Sequence, residues 1–431
     1  MPDGDAATSP VPRTVDVHVA VDSADLRAGR LHGHAGRGAE SATFTYADTY
    51  LADPRAYALE PALPLTAGPQ QTPAGLAMFR SFGDTSPDRW GRRLVERAER
   101  RRAAADGSAS RRLTELTLLL GVRDDLRQGA LRFADPTTGR FLAEESTGVP
   151  ALTDLGDLLA LADGIEDEET TLSDLRVLLR AGSSLGGARP KTHVRTLDGR
   201  IAIAKFPSAN SDTHDVMAWE KTTLDLAGSA GIDVPGSQLL NITGRSVLVV
   251  DRFDRNDHGR VGYASAMTLL ETRDGERGTY LDIGAAIEEN SPHATRDLHQ
   301  LWRRAAFGVL VSNTDDHLRN HGFLHRSAGS WSLSPAFDLN PDPAPGPKQL
   351  ATALADVSDP RARVDVLLQI AGEFRLAPEQ ARGVLSEVLA ATGRWRTVGR
   401  SHGLREAEVR RMAPAFEHDE VEAARATVAS T

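Results

Sequence analysis

Cysteine is absent from the 431 residues, which excludes disulfides, thiolate metal sites and cysteine nucleophiles. Lysine is nearly absent: among 50 lysines and arginines, only Lys191, Lys205, Lys221 and Lys348 are lysine. A GC-rich coding bias toward arginine accounts for the general shortage. Lysine is nevertheless a compact point charge where arginine is a planar fork, so lysines kept on such a background mark places that arginine serves badly, Lys191 and Lys205 first. No apolar run is long enough to span a bilayer. The opening MPDGDAATSPVPRT lacks the apolar core of a secretory signal, and a cytoplasmic location without membrane attachment is the default expectation. Positive charge is not in excess either: the formal net charge is −10, which argues against an isolated nucleic-acid binder. The cluster Arg92, Arg93, Arg97, Arg100, Arg101 and Arg102 reads most simply as a solvated helix face.

The length allows two or three domains. After an irregular start, Val15 to Leu31 reads as a hairpin and SATFTYADTYL as a further strand-like stretch. A helix follows from DTSPDRWGRRLVERAERRRAAA, with Ser86 before Pro87 as its cap signal. LTELTLLLGV, ALTDLGDLLALADGI and Leu172 to Ala181 read as helices. The hairpin THVRT-LDG-RIAIAKF turns at Asp-Gly. A helix over roughly 213–228 and two strands in VPGSQLLNITGRSVLVVDRF come next. From about Arg296 the chain is mainly helical, interrupted from Asn313 to Pro345. The expected division is a β-rich unit at 1–145, an α+β unit at 146–252 and a helical unit at 253–431.

The strongest constellation is SNTDDHLRNHGFLHRSAGSWSLSPAFDLNP. Asp315 stands five positions before Asn320, and Asp338 follows a short hairpin-like stretch. Phosphoryl transfer of the protein-kinase type needs a carboxylate to accept the proton of the attacking hydroxyl. It also needs an amide oxygen and a second carboxylate to hold Mg2+. The order D-x4-N, hairpin, Asp fits that requirement. Asp316 competes with Asp315 for the base role; spacing to Asn320 favours Asp315. Upstream, Ser183 to Ala188 (SSLGGA) is backbone able to approach phosphate oxygens closely. Lys205 ends the strand IAIAKF within reach of such phosphates, and Glu220 on the next helix is a candidate ion-pair partner. No Gly-Lys-Ser/Thr ends the loop, which disfavours a P-loop NTPase. VLVVDRFDR lies where an interlobe linker would hold adenine. His317, His321 and His325 recur every four residues, but Gly322 interrupts any helix, and a zinc site is rejected.

Together these residues resemble the HipA family, the kinase toxins of bacterial type II toxin–antitoxin modules. SSLGGARPKT, IAIAKFP, VLVVDRFDR, NTDDHLRNHGFL and SPAFDLNP match its nucleotide loop, lysine strand, hinge, catalytic and metal motifs in order. FTYADTYL, ALPLT and SFGDTSPDRWGRRL resemble its small N-terminal subdomain. The resemblance implies an α+β, protein-kinase-like two-lobe fold and a serine/threonine protein kinase using ATP and Mg2+. It implies Asp315 as catalytic base and Asn320 and Asp338 as metal ligands. Gly186, Gly187, Ala188, Arg189, Pro190, Lys191 and Lys205 would contact the ATP phosphates. Asp251, Arg252 and Phe253 would form the hinge; His317, Leu318, Arg319, Asn320, Phe337 and Asp338 would line the nucleotide site. Ser184 matches a loop serine that such kinases autophosphorylate, switching themselves off. A small helix-turn-helix antitoxin (HipB-like), DNA reached through it, and a translation component such as an aminoacyl-tRNA synthetase are the implied partner, contact and substrate. Two departures stand out: Asp316 occupies a position where a small or neutral residue is common, and Arg189-Pro190 stiffens the loop. A kinase of small molecules or lipids on the same scaffold, and a non-catalytic co-repressor acting through an antitoxin, are the alternative readings.

Overall fold

Alternation in TVDVHVAV puts Val15, Val17 and Val19 on one face, and in the computed structural model all three are fully buried. The structure describes residues 13–36, 39–144, 149–166, 170–182, 189–208, 210–327 and 329–430. Strands β1 (Thr14–Val21), β2 (Ala24–Ala35), β3 (Glu40–Tyr46), β4 (Pro69–Gln71) and β5 (Leu131–Ala134) form one antiparallel sheet in the order β4-β3-β2-β1-β5. The hairpin expected from Val15 is therefore present. SATFTYADTYL is only half strand: past Tyr46 it becomes a helical turn, Asp48–Leu51.

A second sheet, β6-β7-β9-β8, is built from β6 (Lys191–Arg195), β7 (Ile201–Lys205), β8 (Ser237–Ile242) and β9 (Arg245–Asp251). The β6–β7 turn uses Gly199 at φ 84°, a conformation that favours glycine. Alternate residues of β9 face different cores. Val247 and Val249 pack with Trp90, Leu94, Leu158 and Leu178 from the helices on one side. Leu248 and Val250 join the core that includes the helix Val216–Ser229. Burying each such side chain favours folding by about 1.5–3 kcal/mol, which fixes the register of the lysine strand beside it.

A two-residue ladder, β10 (Arg255–Asn256) with β11 (Gly259–Arg260), follows the second sheet. The third sheet, β12-β13-β14, joins β12 (Tyr263–Ser265), β13 (Gly322–His325) and β14 (Trp331–Leu333). It leans on the helix Ala294–Val311, whose Leu298, Leu301, Trp302 and Phe307 are buried. Helices Tyr280–Asn290 and Pro378–Thr392 pack on that central helix.

Three boundaries differ from the sequence reading. The helix Arg89–Ala105 is capped by Asp88, whose side chain accepts from Gly91 N, not by Ser86, whose hydroxyl turns back to Phe82 O. Helix in the C-terminal unit begins well before Arg296, with the short Ala266–Leu269 and then Tyr280–Asn290. The non-helical interruption runs to Arg363 because residues 350–353 are held by tertiary bonds, Ala351 N to Thr314 O and Ala353 N to Gly278 O among them. Among the described residues no helix is long and apolar enough to cross a membrane.

Candidate active site

β6 and β7 pair so that Lys191 stands directly opposite Lys205. Two like charges facing across a ladder are unfavourable, and acids from three distant segments compensate them. Lys205 Nζ donates to Glu220 Oε1 at 2.5 Å and to Asp338 Oδ1 at 2.9 Å. Lys191 Nζ donates to Asp88 Oδ2 at 2.7 Å, with both side chains almost fully buried. Burial disfavours the Lys205 ammonium, but Asp338 and Glu220 outweigh it and raise its pKa, so Lys205 stays charged. Burial also raises the pKa of Glu220, with Lys205 opposing. Burial works against ionised Asp338 too; Lys205, seconded by Lys191 and His317, reverses this and lowers its pKa to about 2. Asp338 sits at φ 58°, a left-handed conformation costing roughly 1–2 kcal/mol for a residue with a Cβ. Strain of this kind gathers where a side chain must be aimed.

The central helix ends at Ser312, itself at φ 54°, and releases the chain into the D-x4-N loop. The two neighbouring aspartates separate. Asp315 is exposed, while Asp316 is buried. Asp316 accepts the Tyr280 hydroxyl and lies 3.2 Å from His321 Nε2. Burial opposes its ionisation, but His321 and Tyr280 keep its pKa below the ordinary carboxylate value. Asn320 Nδ2 donates to the Asp315 carbonyl at 3.2 Å. Among the described residues the Asn320 amide oxygen accepts no hydrogen bond, and Asp338 Oδ2 has no ion-pair partner. Asn320 lines a small cavity with Phe337 and Leu339, the neighbours of Asp338, so two hard oxygen donors are open on adjoining segments.

Phe253 lies beside Phe337, ring centroids 5.5 Å apart, and Tyr263 is 6.4 Å away. Asp251, at the end of β9, is half-buried and 3.5 Å from Arg200. Arg252 does not join them at the cleft. Its guanidinium is buried and committed to Asp254, the carbonyls of Leu126 and Arg127, and His193 Nε2. Its side chain is thus engaged away from the Phe253–Phe337 pair, while its backbone keeps the linker position between Asp251 and Phe253. Arg189 pairs with Asp212, and Pro190 O accepts from Phe206 N at 2.9 Å. Leu318 is buried, Arg319 is 3.6 Å from Asp274, and His317 Nδ1 is buried without a hydrogen-bond partner. Ser184, Gly186, Gly187 and Ala188 lie outside the described residues.

Asp88, Tyr280, His321 and Arg304 support this site but carry no role in the sequence reading. Asp88 is 103 positions from Lys191, and Tyr280 is 36 from Asp316. No signal in the sequence marked Asp88, and no spacing rule connects the rest.

Cleft, lysine strand and D-x4-N loop together define an α+β, protein-kinase-like protein. Residues 183–395 match the HipA-like C-terminal domain. It is similar to two proteins of Sinorhizobium fredii that are provisionally named kinases. With Y4dM it is 28% identical over 152 residues, 32% of this chain and 36% of that one. With Y4mE it is 28% identical over 182 residues, 36% of this chain and 41% of that one. The matched segments therefore span less than half of those relatives. Among solved structures, a chain of the HipA, HipB and operator DNA complex of Shewanella oneidensis superposes with a TM-score of 0.61. That match covers 95% of this chain and 96% of the other at 14% identity, a likeness of fold.

Proposed function

We propose that the protein is an ATP- and Mg2+-dependent serine/threonine protein kinase, the toxin of a toxin–antitoxin pair. The observation that carries this reading is the position of Lys205, bridging Glu220 and Asp338 at 2.5 and 2.9 Å, while Asp315 stands exposed on the loop that Asn320 closes. Glu220 fixes the lysine, and the lysine meets the phosphates of ATP. Asp315 accepts the proton of a serine or threonine hydroxyl as that oxygen bonds to the γ-phosphorus and ADP leaves; such a base is worth about 10²–10⁴ in rate. Asn320 and Asp338 are the residues that would hold Mg2+, which neutralises phosphate charge when bound. Two protein oxygens suit an ion that keeps waters and phosphates as its remaining ligands. Phe253 and Phe337 offer an apolar wall for adenine.

Residues 146–252 then serve as the nucleotide lobe, 253–431 as the catalytic lobe, and 1–145 as an accessory unit. Ser184 is the expected self-inhibitory site, since a phosphate there adds about −1.5 to −2 charges where ATP phosphates must sit. The HipB component of the similar complex supports a small DNA-binding antitoxin as partner. An aminoacyl-tRNA synthetase is the proposed target.

Intact-mass and peptide mass spectrometry after incubation of dephosphorylated protein with Mg-ATP tests the reading. Phosphate on Ser184 or a neighbour, absent from Asp315→Asn, is the expected result. ATP binding without any phosphorylated residue would remove the protein-kinase reading in favour of a small-molecule acceptor.

A further inference from the structure

Beneath the D-x4-N loop lies a polar group that the proposed chemistry does not use. Asp316 accepts the Tyr280 hydroxyl, and His321 Nε2 approaches the same carboxylate to 3.2 Å at an angle outside hydrogen bonding. Arg304, from the central helix, is 94% buried. It donates from Nη2 to the Ser334 carbonyl, its Nε has no hydrogen-bond partner, and no carboxylate lies at ion-pair distance among the described residues. Arg304, Asp316, Asn320 and His321 line one enclosed cavity of about 10 Å3, with Phe307 and Phe337 among its apolar walls. That is about the volume of one water probe.

Burying an arginine with an open N–H, a carboxylate and an imidazole is costly, and replacing such groups by apolar side chains often stabilises a fold. Their arrangement has a function in view. The loop above has only one three-residue helical turn, Leu318–Asn320, and Asp315 itself projects into solvent. From below the loop is tied by the Asp316 carboxylate, which accepts from the Tyr280 hydroxyl, and by the backbone bond from Ala266 N to the His321 carbonyl at 2.7 Å. A displacement of about 1 Å in a reacting group costs on the order of 10²-fold in rate.

We propose that Tyr280, Asp316, His321 and Arg304 form a positioning cluster that fixes the backbone from Asp315 to Asn320, so that base and metal-holding amide are set before substrates arrive. The adjacent aspartates then divide the work, Asp315 for the acceptor and Asp316 for the scaffold. This deepens the kinase reading and rests on it.

The test uses the full chain with Tyr280→Phe, which removes one hydroxyl, and Asp316→Asn, which keeps shape. Two readouts are followed: amide hydrogen exchange by mass spectrometry over residues 313–323, and the rate of self-phosphorylation against Mg-ATP concentration. The expected result is exchange faster by about tenfold in that segment alone, a rate lower by about tenfold, and an apparent KM for Mg-ATP within about twofold of wild type. Wild-type exchange in both variants overturns the inference, and so does faster exchange throughout the chain, which would mark a merely structural role. Should wild type transfer no phosphate at all, the kinase reading falls; loop exchange still decides whether the cluster holds the loop.

Discussion

Two buried charge clusters, one around Lys205 and one around Asp254, are built from the same kinds of residue. Asp254 is 4% exposed at its side chain and receives Arg252 at 2.6 Å, Arg255 at 2.9 Å and Gly129 N at 2.8 Å. The arginines go on to the carbonyls of Leu126 and Arg127, and Arg127 itself donates to Leu119 O and Val122 O. Burial works against ionised Asp254, yet Arg252 and Arg255 hold its pKa below the usual range. In that cluster the Arg252 and Arg255 guanidiniums meet acceptors, although the buried Arg127 Nε has none, and the cluster clamps the N-terminal sheet unit to the second sheet. Around Lys205 only Glu220 is as deeply placed; Lys205 and Asp338 are 16% and 32% exposed at their side chains, Asp315 is exposed, and oxygens of Asn320 and Asp338 remain open. Burial and charge are common to both; open valence distinguishes a site from a clamp.

The sharpest challenge to this contrast is Asp315→Asn. Phosphoryl transfer should fall by about 10³-fold while stability changes by no more than about 0.5 kcal/mol, as for other surface substitutions; chemical denaturation beside a transfer assay reads both. Lys205→Met should cost about 3–5 kcal/mol by leaving Glu220 buried without a counter-charge, and the double variant with Glu220→Met should recover most of it. A single variant as stable as wild type would show that the pair is not buried in solution. Asp254→Asn should destabilise by a similar amount, with transfer per folded molecule within about twofold of wild type. Loss of transfer at full stability there would erase the distinction between clamp and site.

Phe253→Ala has a smaller effect, weakening Mg-ATP binding about tenfold, or about 1.4 kcal/mol, with folding intact; calorimetric titration checks it. The smallest concerns a group in neither cluster. His325 stacks on Tyr57 at 3.8 Å, and burial lowers its pKa to about 4. Its folded pKa lies below the unfolded value of about 6.5. Its contribution is therefore complete above pH 6.5 and lost as pH falls through about 4. Melting temperature against pH should slope upward across that window, less steeply in His325→Phe.

Much of this was legible before folding was considered. Alternation in VDVHVAVD placed β1, the Asp-Gly turn signal placed β6 and β7, and the spacing of Asp315 and Asn320 marked the loop that follows the central helix. The linker motif located Arg252 in the chain but could not show that its guanidinium donates to the carbonyls of Leu126 and Arg127. The cap of the helix Arg89–Ala105 was placed at Ser86 because Ser before Pro is a start signal; in the fold it is the Asp88 side chain that meets Gly91 N.

The chain alone determined which residue types stand at kinase spacing, because D-x4-N, the lysine strand and the Asp-Gly hairpin are local patterns enforced by backbone geometry. The tertiary structure decided which of two adjacent aspartates meets solvent and which lysine meets Asp338. It also decided which arginines close on carbonyls. Those outcomes depend on partners brought from 36 to 133 positions away, and side-chain reach across such separations exists only once the sheets and the central helix have packed.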